Sequence, residues 1–132
     1  MKMIDKVALI YLEGGKILST RSRGKEVYYL PGGKREAGES DLETLSREIG
    51  EELSVEMIPA SAERYGVFEA QAHGKAEGVL VKMTCYTAAF EGTPRANSEI
   101  AELAWLQYRD RERVSPVDKL IFEDLHGRGM LS

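Results

Sequence analysis

The chain has 132 residues, 42% of them hydrophobic and 30% charged, with a net charge of -4. This composition excludes a disordered or fibrous protein, and the length suits one domain over residues 1–132 that buries roughly two-thirds of the surface its unfolded chain exposes. The acidic balance shows no basic stripe of the kind that grips duplex nucleic acid, and a lone Cys85 with only His73 and His126 leaves neither an internal disulfide nor a Cys/His zinc constellation.

In chain order, Ile4 to Leu12 is apolar and β-rich and reads as a first strand. Its apolar run is too short for a signal-peptide core or a membrane span, so a cytoplasmic protein without membrane contact is expected. Glu13-Gly14-Gly15 is a hairpin turn signal, and Lys16 to Arg21 returns as a second strand. A charged loop, Ser22 to Glu26, leads to a short strand, Val27 to Leu30, in which one of Tyr28 and Tyr29 must face the core. Leu30-Pro31-Gly32-Gly33 is expected to stop that strand, because proline removes a ladder donor and glycine opens backbone conformations closed to other residues.

Ser40 and Glu43 form a capping-box pair that starts a helix at Asp41, and Leu42, Leu45, Ile49 and Leu53 give it one apolar stripe. Glu48, Glu51 and Glu52 share a different face. One side of the helix is thus anchored while the other displays acid, an arrangement that costs stability unless a cation sits among the carboxylates. A run of charge on a helix is usually just a solvated face; the upstream glycines and the spacing weigh against that here.

Glu56 to Ile58 opens a further extended segment, and Arg64 to Ala70 and Val79 to Ala89 read as strands around a polar loop, Gln71 to Gly78. His73, isolated in that loop, reads as a surface or substrate-edge residue, and Met83 and Cys85 read as core. After a second loop, Glu91 to Ser98, Ile100 to Gln107 reads as a strand with Trp105 buried. Ser115 and Pro116 open a last helix, with Val117, Leu120, Ile121 and Leu125 as its apolar stripe and Gly127 at its end. These elements predict an α/β fold, a mixed sheet sandwiched between helices.

The stretch Gly33 to Val55 resembles the Nudix box, G-x5-E-x7-R-E-U-x-E-E-x-G-U with U a bulky aliphatic residue. Gly33, Glu39, Arg47, Glu48, Ile49, Glu51, Glu52 and Val55 stand at the specified positions, and Ser54 replaces the remaining glycine. Ser54 bears on the helix exit, where a left-handed non-glycine residue costs on the order of 1 kcal/mol, and touches no carboxylate.

The resemblance implies a Nudix-type α/β/α sandwich that hydrolyses a phosphoanhydride bond in a nucleoside diphosphate linked to another group, using Mg2+ or Mn2+. Under it, Glu48 and Glu52 are metal ligands, Glu51 is a third ligand or the general base, and Gly33 offers a backbone carbonyl to the metal. Arg47 orients a neighbouring glutamate, Glu39 supports from behind, and Lys34 meets a substrate phosphate. Glu99 is a second candidate for the base and Glu102 a further one, both at the join between the Glu91 to Ser98 loop and the following strand. Arg21 is a candidate phosphate contact, although paired arginines at a strand end, here Arg21 and Arg23, are commonly solvated. Marks of the ADP-ribose and dinucleoside polyphosphate subfamilies are missing, since Ala70, Gln71 and Ala72 occupy their places. The short chain is most similar to the MutT-type enzymes, which act on nucleoside triphosphates or oxidised nucleotides; the family also implies a homodimer as one assembly. The alternatives are a non-catalytic nucleotide sensor and an enzyme like isopentenyl diphosphate isomerase, which would need a reactive cysteine.

Overall fold

A computed structural model describes residues 2–132. The strands are β1 (Lys2–Ile10), β2 (Leu12–Glu13), β3 (Lys16–Ser22), β4 (Gly32–Lys34), β5 (Glu56–Met57), β6 (Glu63–Gln71), β7 (Val79–Thr87), β8 (Phe90–Glu91) and β9 (Ile100–Leu106), and the α-helices are α1 (Asp41–Leu53) and α2 (Pro116–Gly127). The main sheet runs β4-β1-β7-β6 and is mixed: β1 and β7 are parallel, while β4 and β6 pair antiparallel with β1 and β7. A second sheet runs β2-β3-β9, and β5 with β8 makes a two-stranded ribbon.

β1 is buried on both faces, and its alternation splits the core. Val7 and Leu9 join Leu18 and the α1 stripe of Leu45, Ile49 and Leu53. Ala8 and Ile10 join Ile17, Met83 and Cys85 against Val117, Ile121, Phe122 and Leu125 of α2. Because successive strand residues point to opposite faces, one strand serves both helices, and the result is the expected α/β/α sandwich.

The start of α1 follows its sequence. Ser40 Oγ accepts the Glu43 N–H at 3.2 Å while Glu43 accepts the Ser40 N–H at 2.8 Å. The helix ends at Ser54 in the left-handed conformation, φ 58° and ψ 38°. The Glu91 to Ser98 loop then folds back on the helix end, where Arg95 and Asn97 donate their N–H groups to the carbonyls of Leu53 and Glu52. Those carbonyls lack intrahelical partners, so this docking satisfies them and fixes the loop that carries Glu99.

Four expectations need correction. Val27 to Leu30 is not a strand: Tyr28 and Tyr29 make only isolated bridges, to Val114 and Thr20, and the strand is built from Gly32, Gly33 and Lys34. The glycines start it, since they let this backbone lie directly on β1. Trp105 is 41% exposed; alternation along β9 gives the buried positions to Ile100 and Leu106 instead. Leu120 is likewise 41% exposed, because the buried face of α2 runs through Val117, Asp118, Ile121, Phe122 and Leu125. Ser115 holds the N-cap position of α2, but its hydroxyl makes no capping bond.

Candidate active site

The site is organised on the Leu30-Pro31-Gly32-Gly33 segment, which both helices hold. Leu30 N–H donates to Asp118 Oδ2 of α2 at 3.1 Å, and Gly32 N–H donates to Glu52 Oε1 of α1 at 3.0 Å. Pro31 between them has no N–H, and its carbonyl accepts from Leu9 N–H at 2.8 Å. Gly32 has φ 145° and a Cβ there would overlap the backbone of Val7 and Ala8, while a Cβ on Gly33 would overlap the Glu48 carboxylate. Only glycine permits this close approach of strand, turn and acid helix.

A cavity of about 350 Å³ opens beside this segment. At one end stand Glu48, Glu52 and Glu99 with Gly33 and Lys34; elsewhere its wall is formed by Lys6, Tyr29, His73, Ser115 and Val117. Burial raises the pKa of Glu52 to about 8, the neighbouring Glu48 and Glu99 charges adding to the rise and the Gly32 N–H opposing it. Burial raises Glu48 as well, with Arg47 opposing. Glu99 is shifted the other way, because the Ser98 hydroxyl donates to it at 2.6 Å and holds it ionised. Two carboxyls that resist ionisation thus lie beside one that accepts it, on a single cavity wall.

Arg47 organises the rim. Its Nε and Nη2 grip Glu39 at 2.7 and 2.9 Å, Nη2 also reaches the Lys34 carbonyl at 3.1 Å, and Nη1 reaches Glu51 at 3.0 Å. Glu39 further accepts the Glu36 N–H and the Thr44 hydroxyl. With the Arg47 guanidinium as the largest cause, its pKa falls to about 2. This fork staples the Lys34 to Glu39 loop onto α1 and fixes the position of Lys34.

The sequence profile described as NUDIX domain matches residues 2–125. The chain belongs to the NUDIX family. It is therefore a hydrolase acting on phosphorus-containing anhydrides. Among solved structures, the E. coli ORF135 protein is similar, with 28% identity, coverage of 96% of this chain and 91% of that one, and a TM-score of 0.76. The mutator MutT protein from Bacillus halodurans shares 27% identity over 91% of this chain and 80% of that one, with a TM-score of 0.70. The MutT NUDIX hydrolase from Burkholderia pseudomallei is 24% identical, covers 93% of this chain and 98% of that one with a TM-score of 0.73, and supports the fold alone. No curated protein matches in sequence. Among the described residues no helix is long and apolar enough to cross a membrane.

Of the residues singled out in the Nudix box, the structure brings Gly33, Lys34, Glu48 and Glu52 to the cavity, and Glu99 joins them from the distant loop. Glu51 stands outside, its side chain 52% exposed and tied to Arg47. Glu39 and Arg47 lie behind the cavity wall as a pair. Arg21 is also outside: its Nε donates to Glu102 Oε1 at 2.7 Å, and the Tyr28 hydroxyl donates to the same oxygen at 2.9 Å. That pairing consumes both Arg21, the candidate phosphate contact, and Glu102, the further base candidate. Sequence reasoning missed Lys6 and Asp118. Asp118 sits three residues after the N-cap Ser115, the place of an ordinary capping acid, and nothing local signals that it turns inward. Lys6 follows a strand pattern in which a lysine reads as an exposed residue.

Proposed function

We propose that the chain is a divalent-metal-dependent pyrophosphohydrolase that takes a nucleoside triphosphate or an oxidised nucleotide and releases the nucleoside monophosphate and pyrophosphate. One observation carries the reading: Glu48 and Glu52 converge on the Gly32-Gly33 turn at a cavity wall, with Glu52 buried and its pKa raised in part by its acidic neighbours. Such a group gains most from a cation beside it.

The residues fit a hard cation such as Mg2+ or Mn2+, since they offer carboxylate oxygens in a recess that excludes side chains at Gly32 and Gly33. Among the described residues no group of three His, Cys, Asp or Glu side chains closes a metal shell. Glu48 and Glu52 would therefore hold the ion together with water or phosphate oxygens, which suits magnesium's retention of water. When bound, the ion supplies charge for the phosphate oxygens and lowers the pKa of a bound water.

The remaining steps belong to the chain. Lys34 meets a phosphate oxygen at the cavity rim, its backbone steadied by Arg47. Glu99, held ionised by Ser98, receives the proton of the attacking water as the new P–O bond forms and the anhydride P–O bond breaks. We assign the base to Glu99 rather than Glu51 because Glu51 does not face the cavity. The Tyr29 and Val117 side of the cavity receives the nucleoside. An isomerase reading finds no support: Cys85 is fully buried, and burial pushes its thiol far above the usual range.

The test is a screen with Mg2+ and then Mn2+ against nucleoside triphosphates, oxidised nucleotides, nucleotide sugars, ADP-ribose and dinucleoside polyphosphates, with products separated. The proposal expects monophosphate and pyrophosphate from triphosphates, abolished by chelator. Cleavage confined to nucleotide sugars or dinucleotides would overturn the substrate, and nucleotide-induced stabilisation without turnover would make the chain a sensor.

A further inference from the structure

The pair of Arg21 and Glu102 lies outside the cavity but beside the segment that carries Glu99. The two residues stand directly opposite each other on β3 and β9. One step further the register slips, Ser22 facing Ile100, so that Ala101 is passed over as a bulge. The chain then turns back at once, Lys25 N–H donating to the Ser22 carbonyl at 3.1 Å. Ser22, Lys25 and Glu99 all line the cavity, so this turn forms part of its edge.

An ordinary cross-strand ion pair would end at Glu102. Here Arg21 Nε donates to Glu102 Oε1 at 2.7 Å while Nη1 of the same guanidinium donates to the Lys25 carbonyl at 3.1 Å, so its planar fork bridges strand and turn. The Tyr28 hydroxyl donates to the same Glu102 oxygen at 2.9 Å and fixes the carboxylate. Within the turn, Arg23 N–H donates to the Glu99 carbonyl at 2.8 Å; on the other side, Asn97 N–H donates to the Glu52 carbonyl at 3.0 Å. The backbone at Glu99 is thus held between the turn and the acid helix. The Ser98 hydroxyl does most to keep the Glu99 carboxyl ionised, and the Arg23 charge acts in the same direction. Resting on the assignment of Glu99 as the base, we propose that Arg21 and Glu102 are positioning residues for the hydrolytic step, fixing the turn that in turn fixes Glu99. Their side chains are 29% and 45% exposed, and an ion pair of that kind contributes little to stability. Its effect falls on the geometry of proton transfer, where a misplacement of about 1 Å costs on the order of a hundredfold in rate.

The experiment measures kcat and KM for GTP, UTP, ATP and CTP with magnesium, together with the melting temperature, in the wild type, Arg21→Met, Glu102→Leu and Glu99→Gln. Arg21→Met should lower kcat by about tenfold or more while KM and the melting temperature stay nearly unchanged. Glu102→Leu should do the same, and the two combined should lose no more than either alone, because the residues act as one unit. Added to Glu99→Gln, Arg21→Met should cost nothing further. An equal loss in both backgrounds, or a rise in KM alone, would overturn the inference. Full activity in Glu99→Gln would mean that the base assignment has failed and the inference with it; a crippled Glu99→Gln beside an undamaged Arg21→Met would sink the inference alone. Hydrogen exchange of the Arg23 amide, followed by NMR without substrate, reads the clamp directly. It should quicken by about tenfold in Arg21→Met while the α1 amides hold. An unchanged rate contradicts the inference whether or not the chain turns over.

Discussion

The two helices each contribute one buried carboxyl, and the two groups behave differently. Glu52 of α1 and Asp118 of α2 both accept an N–H from the Leu30 to Gly32 segment, and burial raises their pKa values to about 8 and about 7. Around Glu52 the further charges are Glu48 and Glu99, which push the same way, with Lys6 opposing only weakly. Around Asp118 the charged neighbour is Lys6, which opposes the rise. A crowd of acids at a cavity wall gains from a cation, whereas a single acid buried behind the wall serves to hold the Leu30 N–H and with it the glycine segment. The chemistry of the site follows from that difference.

Substitutions can break the comparison. Glu52→Gln keeps an acceptor for the Gly32 N–H but removes the charge, so turnover should fall by orders of magnitude while the melting temperature holds or rises; full activity would remove Glu52 from the metal site. Glu48→Gln should behave alike. Asp118→Asn should leave magnesium dependence intact and show itself in the melting temperature, because Asp118 holds the Leu30 N–H from behind the cavity wall. A magnesium defect in that variant would mean that the two carboxyls do not act separately. Glu51→Gln should cost less than either of these, because Glu51 is exposed and faces Arg47; a loss as large as that of Glu52→Gln, read from single-turnover rates, would return Glu51 to the catalytic set in place of Glu99. Ser54→Gly should change stability least, by about 1 kcal/mol or less in the favourable direction, since it relieves a left-handed residue at the exit of α1. A denaturant midpoint that falls would show that the Ser54 side chain makes a contact worth more than its strain.

The same contrast explains what could be read from the sequence. α1 was legible because its features are local: a capping box, a four-residue apolar rhythm and acids on one face. The left-handed exit at Ser54 followed from the same motif. α2 was harder because burial there depends on what packs above it. Leu120 and Asp118 swap the places that hydrophobicity assigns them, and only the Leu30 N–H, 88 residues away in sequence, explains why an aspartate turns inward. Trp105 failed for a related reason: a strand pattern says that alternate residues share a face, but not which face the core will cover. The glycine segment misled because Gly32 and Gly33 look like a break and instead form the strand, an outcome that depends on contact with β1. Glu99 was within reach of sequence, whereas the loss of Arg21 to Glu102 required the β3–β9 register that sets the two opposite each other.

The most direct test is the stability of the metal-free protein from pH 5.5 to 8.5, repeated with saturating magnesium, for the wild type and Glu52→Gln. An unfolded glutamate ionises near 4.5, while folded Glu52 holds its proton to about 8. Between those values the unfolded chain releases a proton that the folded chain keeps, so stability is greatest at the acid end and is lost as pH rises through 8, by on the order of a few kcal/mol. The account predicts this decline in the wild type, its reversal by magnesium at pH 8.5 with little effect at pH 5.5, and a flatter, magnesium-insensitive profile in Glu52→Gln. A wild-type profile that does not respond to magnesium at pH 8.5, or one that responds equally in Glu52→Gln, would contradict the assignment of Glu52 as the residue around which the site is built.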